Sequence, residues 1–185
     1  MNSAQIKFVL ISLVTLLFMS CGKPSTKESI EALEAKFKEV TSGNGINHEE
    51  VKEVILELAA AYESYAAENT QDPSSSEFLY KSAELYETNM MDIGKAMEIF
   101  DKIINDYPES ERAADALFKK GYVYHNTLKD LNKAREIYLT FLEKYPDHEL
   151  ASSAKFEIDN LGVSAKDLLE KIQKSAVEDS VSAQQ

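Results

Sequence analysis

The residues that could carry chemistry in this sequence are one cysteine, three histidines and a large number of acids. The chain has 185 residues, with 32 acidic and 20 basic side chains, and Cys21 is its only cysteine. One cysteine cannot form an intramolecular disulfide or a cysteine-based zinc site. His48, His125 and His148 lie near three different predicted helix ends, without a second ligand at metal-binding spacing. We therefore expect no metal site and interpret the histidines as solvent-exposed polar residues.

The sequence has none of the spacings that mark common catalytic sites. It contains no glycine-rich phosphate loop, no Gly-x-Ser-x-Gly turn and no His-Glu-x-x-His pair. Acidic pairs such as Glu49 with Glu50 fall at predicted helix starts, where negative charge is favourable. The formal charge of −12 also opposes binding to the phosphates of nucleic acids. We predict a protein that is not an enzyme, needs no cofactor and binds no nucleic acid.

The surroundings of Cys21 suggest a different role for the cysteine. A basic start precedes the apolar run Phe8–Met19, which is shorter than the about 20 residues of a membrane-spanning helix. Ser20, a small residue, stands before Cys21. The segment resembles the signal peptide and lipobox of bacterial lipoproteins, although Phe18 is bulkier than the usual residue. This resemblance implies that Cys21 is lipidated and begins the mature chain; an ordinary signal peptide and an uncleaved anchor are the alternatives.

The predicted processing also affects charge and location. Residues 1–20 contain one charged side chain, Lys7, so their removal changes the formal charge from −12 to −13. Gly22, the second mature residue, differs from the aspartate that retains enterobacterial lipoproteins in the inner membrane. The resemblance therefore implies a lipid-anchored protein of the outer membrane, with its folded part in the periplasm.

A repeat with an offset of 38 residues organises the middle of the chain. The matched positions include small, acidic, aromatic and proline residues: Tyr86 with Tyr124, Asp92 with Asp130, Ala96 with Ala134, Phe100 with Tyr138, and Pro108 with Pro146. A period of this length is typical of stacked helical hairpins. Apolar residues recur at helical spacing within each unit, and the prolines end helices. We predict antiparallel helix pairs at 92–106 with 109–125 and at 130–144 with 148–161.

The repeat resembles the tetratricopeptide repeat. Ala96, Phe100 and Pro108 fall at the positions of the small, aromatic and closing proline residues in its second helix. The period of 38 instead of 34 lengthens the first helix by about one turn. This longer form is similar to repeats of bacterial envelope proteins, such as the outer-membrane β-barrel assembly lipoprotein and the Tol-Pal cell-division coordinator. The implied fold class is an all-α, tetratricopeptide-repeat-like solenoid of helix hairpins, preceded by a signal peptide.

The predicted organisation has four parts. They are a lipoprotein signal peptide at 1–20, a lipidated tether and N-terminal helix at 21–45, a helical repeat domain at 46–177 and a disordered tail at 178–185. The apolar face of the N-terminal helix, predicted at 26–40, is too short to indicate a coiled coil, so the oligomeric state stays open.

Further helices flank the two clear repeats. Asn47 and Glu50 predict a capping box that opens a helix ending near Glu68. A turn at 72–76 connects it to the helix that holds Tyr80, and this pair is predicted to be a third, divergent hairpin. A last helix, which begins near Ser164, is predicted to cap the array.

The resemblance also implies a binding face. First helices of such arrays line the concave side, and the inward positions fall on Glu77, Tyr80, Glu84, Glu87, Asp115, Phe118, Tyr122, His125, Asn126 and Phe156. Tyr80, Phe118 and Phe156 recur at the same offset and are either partner contacts or core residues. Carboxylate-clamp repeats have Lys, Arg and Asn at these positions. Here the residues are aromatic or acidic, so we expect a basic or apolar segment of an envelope protein as the partner.

Three functions from different classes are compatible with these features. The favoured one is a lipid-anchored scaffold that binds a partner on the concave face of stacked repeats. The second is an accessory subunit of machinery that assembles outer-membrane or secreted proteins. The third is an enzyme or small-ligand binder, which no constellation of residues supports.

Overall fold

The computed structural model describes residues 25–42, 46–164, 166–167 and 173–174. These residues form seven α-helices and no strand: α1 Lys27–Ser42, α2 His48–Glu68, α3 Ser74–Glu84, α4 Ile93–Asp106, α5 Glu111–Asn126, α6 Leu131–Lys144 and α7 Ala151–Asp159. A π-helical turn, Leu85–Asn89, extends α3. Each helix packs against the next along the chain, and α3 also contacts α5. The predicted all-α repeat architecture is confirmed, whereas the predicted signal peptide, Cys21 and the tail at 178–185 lie outside the described residues.

Side-chain caps set the starts of α2, α4 and α6. The Asn47 side chain accepts hydrogen bonds from the backbone N–H groups of Glu49 and Glu50 at 3.2 and 3.4 Å, which confirms the predicted start of α2. Asp92 and Asp130 cap α4 and α6 in the same manner, with oxygen to nitrogen distances of 3.0 and 2.9 Å. These two aspartates are one repeat apart, so the repeat in sequence is also a repeat of local geometry.

The turn before each capping aspartate is strained in both repeats. Met91 and Lys129 have φ values of 54° and 58°. These values lie in the left-handed region, which residues other than glycine rarely adopt. The following backbone N–H groups, of Asp92 and Asp130, donate to the carbonyls of Tyr86 and Tyr124 at 2.8 and 2.9 Å. Each turn therefore reverses the chain within a few residues and fixes the next helix against the preceding one.

Small and aromatic residues alternate in the core between helices. Phe100, Tyr138 and Phe141 are completely buried. Gly121 lets α5 approach α6, because a Cβ atom at this position would lie 2.7 Å from the Tyr138 ring. The distance is too short for any side chain, so the pair of Gly121 and Tyr138 fixes the separation of these two helices.

The first helix is part of the same packed array. Ile30 of α1 is buried in a cluster with Ile55, Leu58 and Tyr62 of α2, and Leu33 packs against the same cluster. The helix extends to Ser42, two residues beyond the predicted end. Its apolar face therefore has a partner within the chain. Among the described residues, no helix is both long and apolar enough to cross a membrane.

Several predicted helix boundaries shift in the structure. Helix α3 begins at Ser74, so the serine run forms its first turn instead of a preceding loop. Asp72 orders this start by accepting from the Ser74 N–H at 2.8 Å and from the Tyr65 hydroxyl at 2.5 Å. Helices α5 and α7 begin two and three residues later than predicted, because short turns follow Tyr107 and Tyr145.

The histidines differ from one another more than the sequence predicted. His48 is exposed, as expected. His148 is half-buried, and its ring packs edge-on against Phe141 at 5.7 Å while its Nδ1 accepts from the Leu150 N–H at 3.2 Å. The prediction of a solvated residue was wrong for His148, because the turn after Tyr145 folds the imidazole back over the aromatic core.

Candidate partner-binding face

Ion pairs bring side chains of α3, α5 and α7 together on one face. Arg112 of α5 reaches Glu77 of α3 through Nε at 2.5 Å and binds Asp115 through Nη1 at 2.7 Å. The hydrogen bond to Glu77 raises the pKa of Arg112 above its ordinary value, so this side chain stays positively charged. Its guanidinium also lies 4.7 Å from the centre of the Tyr80 ring. We call the surface formed by these helices the α3–α5–α7 face.

Two further ion pairs extend this face along the array. Lys119 Nζ lies 3.2 Å from Glu87 Oε2, without the geometry of a hydrogen bond. The Glu87 side chain is 11% exposed, so its carboxylate interacts with Lys119 more than with solvent. Between α5 and α7, His125 Nδ1 lies 2.9 Å from Glu157 Oε2. His125 is thus half-buried and paired, contrary to the solvated role predicted for it.

Arg112 and Lys119 were missed among the predicted site residues. Both lie on α5 at helical spacing from the predicted Asp115 and Tyr122. That spacing was a usable signal, since residues three or four positions apart share a helix face. The face is therefore mixed in charge, with Arg112 and Lys119 engaged by its own carboxylates.

The predicted aromatic residues divide into core and surface. Tyr80 and Phe118 are half-buried; the Tyr80 ring lies 5.8 Å from Phe100 and the Phe118 ring 5.4 Å from Tyr138. Burial raises the pKa of Tyr80 to about 12. These two positions therefore act as core residues with one edge at the surface. Tyr122 and Phe156, in contrast, are 40% and 48% exposed.

The exposed aromatics line one cavity. It has a volume of about 570 Å³ and lies between α5 and α7, bordered by Tyr122, His125, Asn126, Phe156 and Glu157. The Asn126 side chain donates to the carbonyl of Tyr122 at 3.3 Å and is exposed. Leu131 and Val163, both exposed, complete its apolar rim. The structure thus assembles four of the predicted inward positions around one depression.

A second cavity lies at the other end of the face. It has a volume of about 260 Å³, and Phe37, Leu58, Leu85 and Tyr62 form its apolar part. Glu84 borders this cavity, and within the described part of the chain no hydrogen bond or ion pair reaches its carboxylate. Partial removal of water raises the pKa of Glu84, although its side chain keeps an exposed surface. This carboxylate is accessible, and its charged form is incompletely compensated.

A further cavity lies at the edge of this face, next to Glu77 and Arg112. It has a volume of about 600 Å³ and lies between the turns at 70–73 and 106–112. Arg112 at its edge is already paired with two carboxylates. Across the described residues, no group of three or more His, Cys, Asp and Glu side chains is arranged to hold a metal ion.

Comparison with known families places these helices in a repeat register. Residues 77–110 and 115–148 match the tetratricopeptide repeat family, one segment covering most of α3 with α4 and the other most of α5 with α6. No curated protein and no solved structure matches the chain. Two segments of the chain thus match this repeat, and the described helices form an all-α, tetratricopeptide-repeat-like solenoid. Such repeats point to a protein–protein interaction scaffold, and proteins built from them are typically non-catalytic.

The register also relates the upstream helices to the matched units. Helices α2 and α3 pack against each other, as the predicted hairpin requires. The first matched repeat begins at Glu77 in α3, so α3 is also the first helix of the unit that α4 completes. Tyr62 of α2 lies 38 residues before Phe100 and is buried like it. Helix α2 thus takes the place of a second helix, and α1 that of the first helix before it.

Proposed function

We propose that this chain is a lipid-anchored scaffold of the bacterial cell envelope that binds a segment of a partner protein on the α3–α5–α7 face. The observation that carries the proposal is the exposure of Tyr122 and Phe156 around one cavity. Aromatic side chains of this kind are frequent anchors of protein interfaces. Tyr122 lies on the first helix of the second matched repeat and Phe156 on α7, the helix that follows this repeat. Solenoids of this type present their concave binding surface on such first helices.

The charges on this face favour a basic or apolar partner segment. Its acids Glu77, Glu87, Asp115 and Glu157 each face Arg112, Lys119 or His125, whereas no ion pair reaches Glu84 among the described residues. Because Arg112 and Lys119 already contact carboxylates, a partner's carboxylate would have to displace one of them there. Exposed Lys129 at the cavity between α5 and α7 can still take an anion, so the preference for a basic segment rests on Glu84 and on the excess of acids over cations on the face.

Attachment to the membrane is proposed from the sequence around Cys21. The lone cysteine directly follows an apolar run and a small residue, which is the arrangement of a lipoprotein cleavage site. Each buried CH₂ group of an acyl chain contributes about 0.8 kcal/mol to membrane binding, so two or more chains hold a protein firmly. The proposed location is the outer membrane, with the repeats in the periplasm.

The test is crosslinking and affinity capture from native membranes. The wild-type protein is compared with Tyr122→Ala and Phe156→Ala, and with Leu139→Ala as a control that truncates a 53% exposed apolar side chain on α6. We expect the first two variants to lose a partner that the control retains. Equal capture by all of them would refute binding at this face.

The anchor is tested by a separate variant. The wild type should incorporate labelled fatty acid, and Cys21→Ala should not. If Cys21→Ala stays in the membrane and the wild type incorporates no fatty acid, the anchoring proposal fails while the binding proposal is unaffected. The identity of the captured partner also tests the second candidate, because an accessory assembly subunit would recover components of that machinery.

A further inference from the structure

We propose that the cavity bordered by Glu84 is a subsite for one lysine or arginine side chain of the partner segment. This inference rests on the proposed binding role of the α3–α5–α7 face and names the chemistry of one contact on it. The cavity lies where α1, α2 and α3 meet, so the hairpin that precedes the matched repeats supplies part of the site.

The shape of the cavity suits a single long side chain. Its volume of about 260 Å³ lies below the range of about 300–1,000 Å³ that is usual for sites of drug-sized ligands. Leu58 and Leu85 form an apolar floor, and the Tyr62 ring forms part of the wall. Lysine and arginine place their methylene groups on such surfaces while the charged end stays near polar groups.

The charges around the cavity distinguish Glu84 from its neighbours. Glu34 accepts from Lys81 Nζ at 2.7 Å and from the Tyr62 hydroxyl at 2.6 Å, so its charge is compensated within the chain. Farther along α3, Glu77 and Glu87 are paired with Arg112 and Lys119.

Glu84 borders the same cavity without an ion pair among the described residues. Arg112 and Lys119 act on it only through longer-range Coulombic attraction. Desolvation outweighs that attraction and raises its pKa, so a cation entering the cavity would stabilise a charge that the folded chain leaves under-compensated. Lys81 also borders the cavity but is paired with Glu34, so Glu34, Lys81 and Glu84 together carry a net negative charge that favours an entering cation over an entering carboxylate.

The probes for the test are N-acetyl-lysine amide and N-acetyl-arginine amide, with N-acetyl-norleucine amide as the uncharged analogue of similar length. Each is titrated into the isotope-labelled full chain in detergent micelles, followed by NMR. We expect the two cations to shift the amide signals of Glu84, Leu85 and Thr88, and the norleucine derivative to shift them less. Glu84→Gln should weaken the cation response by up to roughly fivefold. Raised salt should weaken it as well.

Glu98→Gln is the matched control, because Glu98 is an exposed acid on α4. It should leave the titration unchanged. Equal shifts by lysine and norleucine derivatives, an undiminished response of Glu84→Gln, or no shift at these residues up to the solubility limit would each overturn the proposal. The comparison of charged and uncharged probes uses the wild type, so it holds even where Glu84→Gln fails to fold.

A capture experiment separates this inference from the proposed function. If the wild type captures a partner that Tyr122→Ala loses and Glu84→Gln retains in full, the binding face stands and the basic subsite is refuted. If no partner depends on Tyr122 or Phe156, the proposed function fails, while the probe titration still decides whether the cavity takes a cation.

Discussion

The contact between Gly121 and Tyr138 gives the sharpest test of how the repeats pack. An alanine Cβ at position 121 would lie 2.7, 2.8 and 3.0 Å from three carbon atoms of the Tyr138 ring. Carbon atoms that are not bonded pack at about 3.5–4.0 Å, so the overlap is close to 1 Å at the nearest atom. The ring is completely buried and contacts Phe118, which limits its movement. Gly121→Ala therefore requires α5 and α6 to move apart.

Two opposing effects set the size of the change. Overpacking of a buried site costs about 1–3 kcal/mol, whereas replacing glycine by alanine inside a helix stabilises by about 1 kcal/mol. Because the neighbour is a fixed aromatic ring, the upper half of the overpacking range applies. We expect a net loss of about 1–2 kcal/mol in the free energy of unfolding. For a chain of this length, this corresponds to a fall in Tm of roughly 4 °C.

The assay is thermal unfolding of the full chain in detergent, followed by circular dichroism. Gly94→Ala is the matched control, because its added Cβ would meet only the Asp92 carboxylate oxygen at an ordinary 3.6 Å. The control should keep Tm unchanged or raise it, because the gain in helix propensity adds up to about 1 kcal/mol to the free energy of unfolding. If both variants raise Tm equally, the rigid contact between Gly121 and Tyr138 does not exist. Gly121→Ala should cost less in a Tyr138→Leu background than in the wild type, because the overlapping ring is then absent.

Three further predictions concern strain, a buried hydroxyl and acid stability. Lys129→Gly should raise the free energy of unfolding by about 0.5–1 kcal/mol in the same assay, because Lys129 has a φ of 58°; a loss of stability would refute strain at this turn. The Tyr138 hydroxyl has no hydrogen-bond partner among the described residues, so Tyr138→Phe should keep or raise stability by up to about 1 kcal/mol. A loss above that size would indicate a hydrogen bond there. The Tyr65 hydroxyl, then the Ser74 N–H and Lys27, hold the pKa of Asp72 well below its ordinary 3.8. This depressed pKa stabilises the fold above about pH 4, and the contribution is lost as pH falls further. Asp72→Asn should therefore flatten the loss of stability on acidification, measured as Tm against pH, and an unchanged profile would contradict this.

The elements that could be predicted are those fixed by local sequence and by the 38-residue offset. Asp92 and Asp130 cap helices because their side chains bond backbone groups only three residues ahead. Phe100 and Tyr138 were recognisable as core residues because a repeat must bury the same positions in each copy. The left-handed turn residues Met91 and Lys129 carried no such signal, since neither is a glycine or asparagine.

The candidate face was predictable in position but not in charge. The resemblance to the repeat family placed Tyr122 and Glu84 on inward helix faces, and their role as partner contacts stays a prediction. The pairing of Arg112 with Glu77 joins side chains 35 residues apart, so it depends on how far α5 lies from α3 and at what angle. Helix periodicity fixes which way a side chain points, but it does not fix that distance.

These cross-helix pairs determine what the face can select. Exposed ion pairs of this kind contribute little to stability, about 0–1 kcal/mol each. Their larger effect is on specificity, because each cation that contacts its own carboxylate is unavailable to a partner's anion. Glu84 is left as an accessible carboxylate without such a partner in the described chain, close to apolar side chains that can hold a methylene stem. The preference for a basic segment then arises from which charges are already paired and only secondarily from the net charge of the chain. Releasing Arg112 from both of its carboxylates, by Glu77→Gln together with Asp115→Asn, should accordingly increase the affinity for N-acetyl-aspartate amide, whereas Glu98→Gln should not.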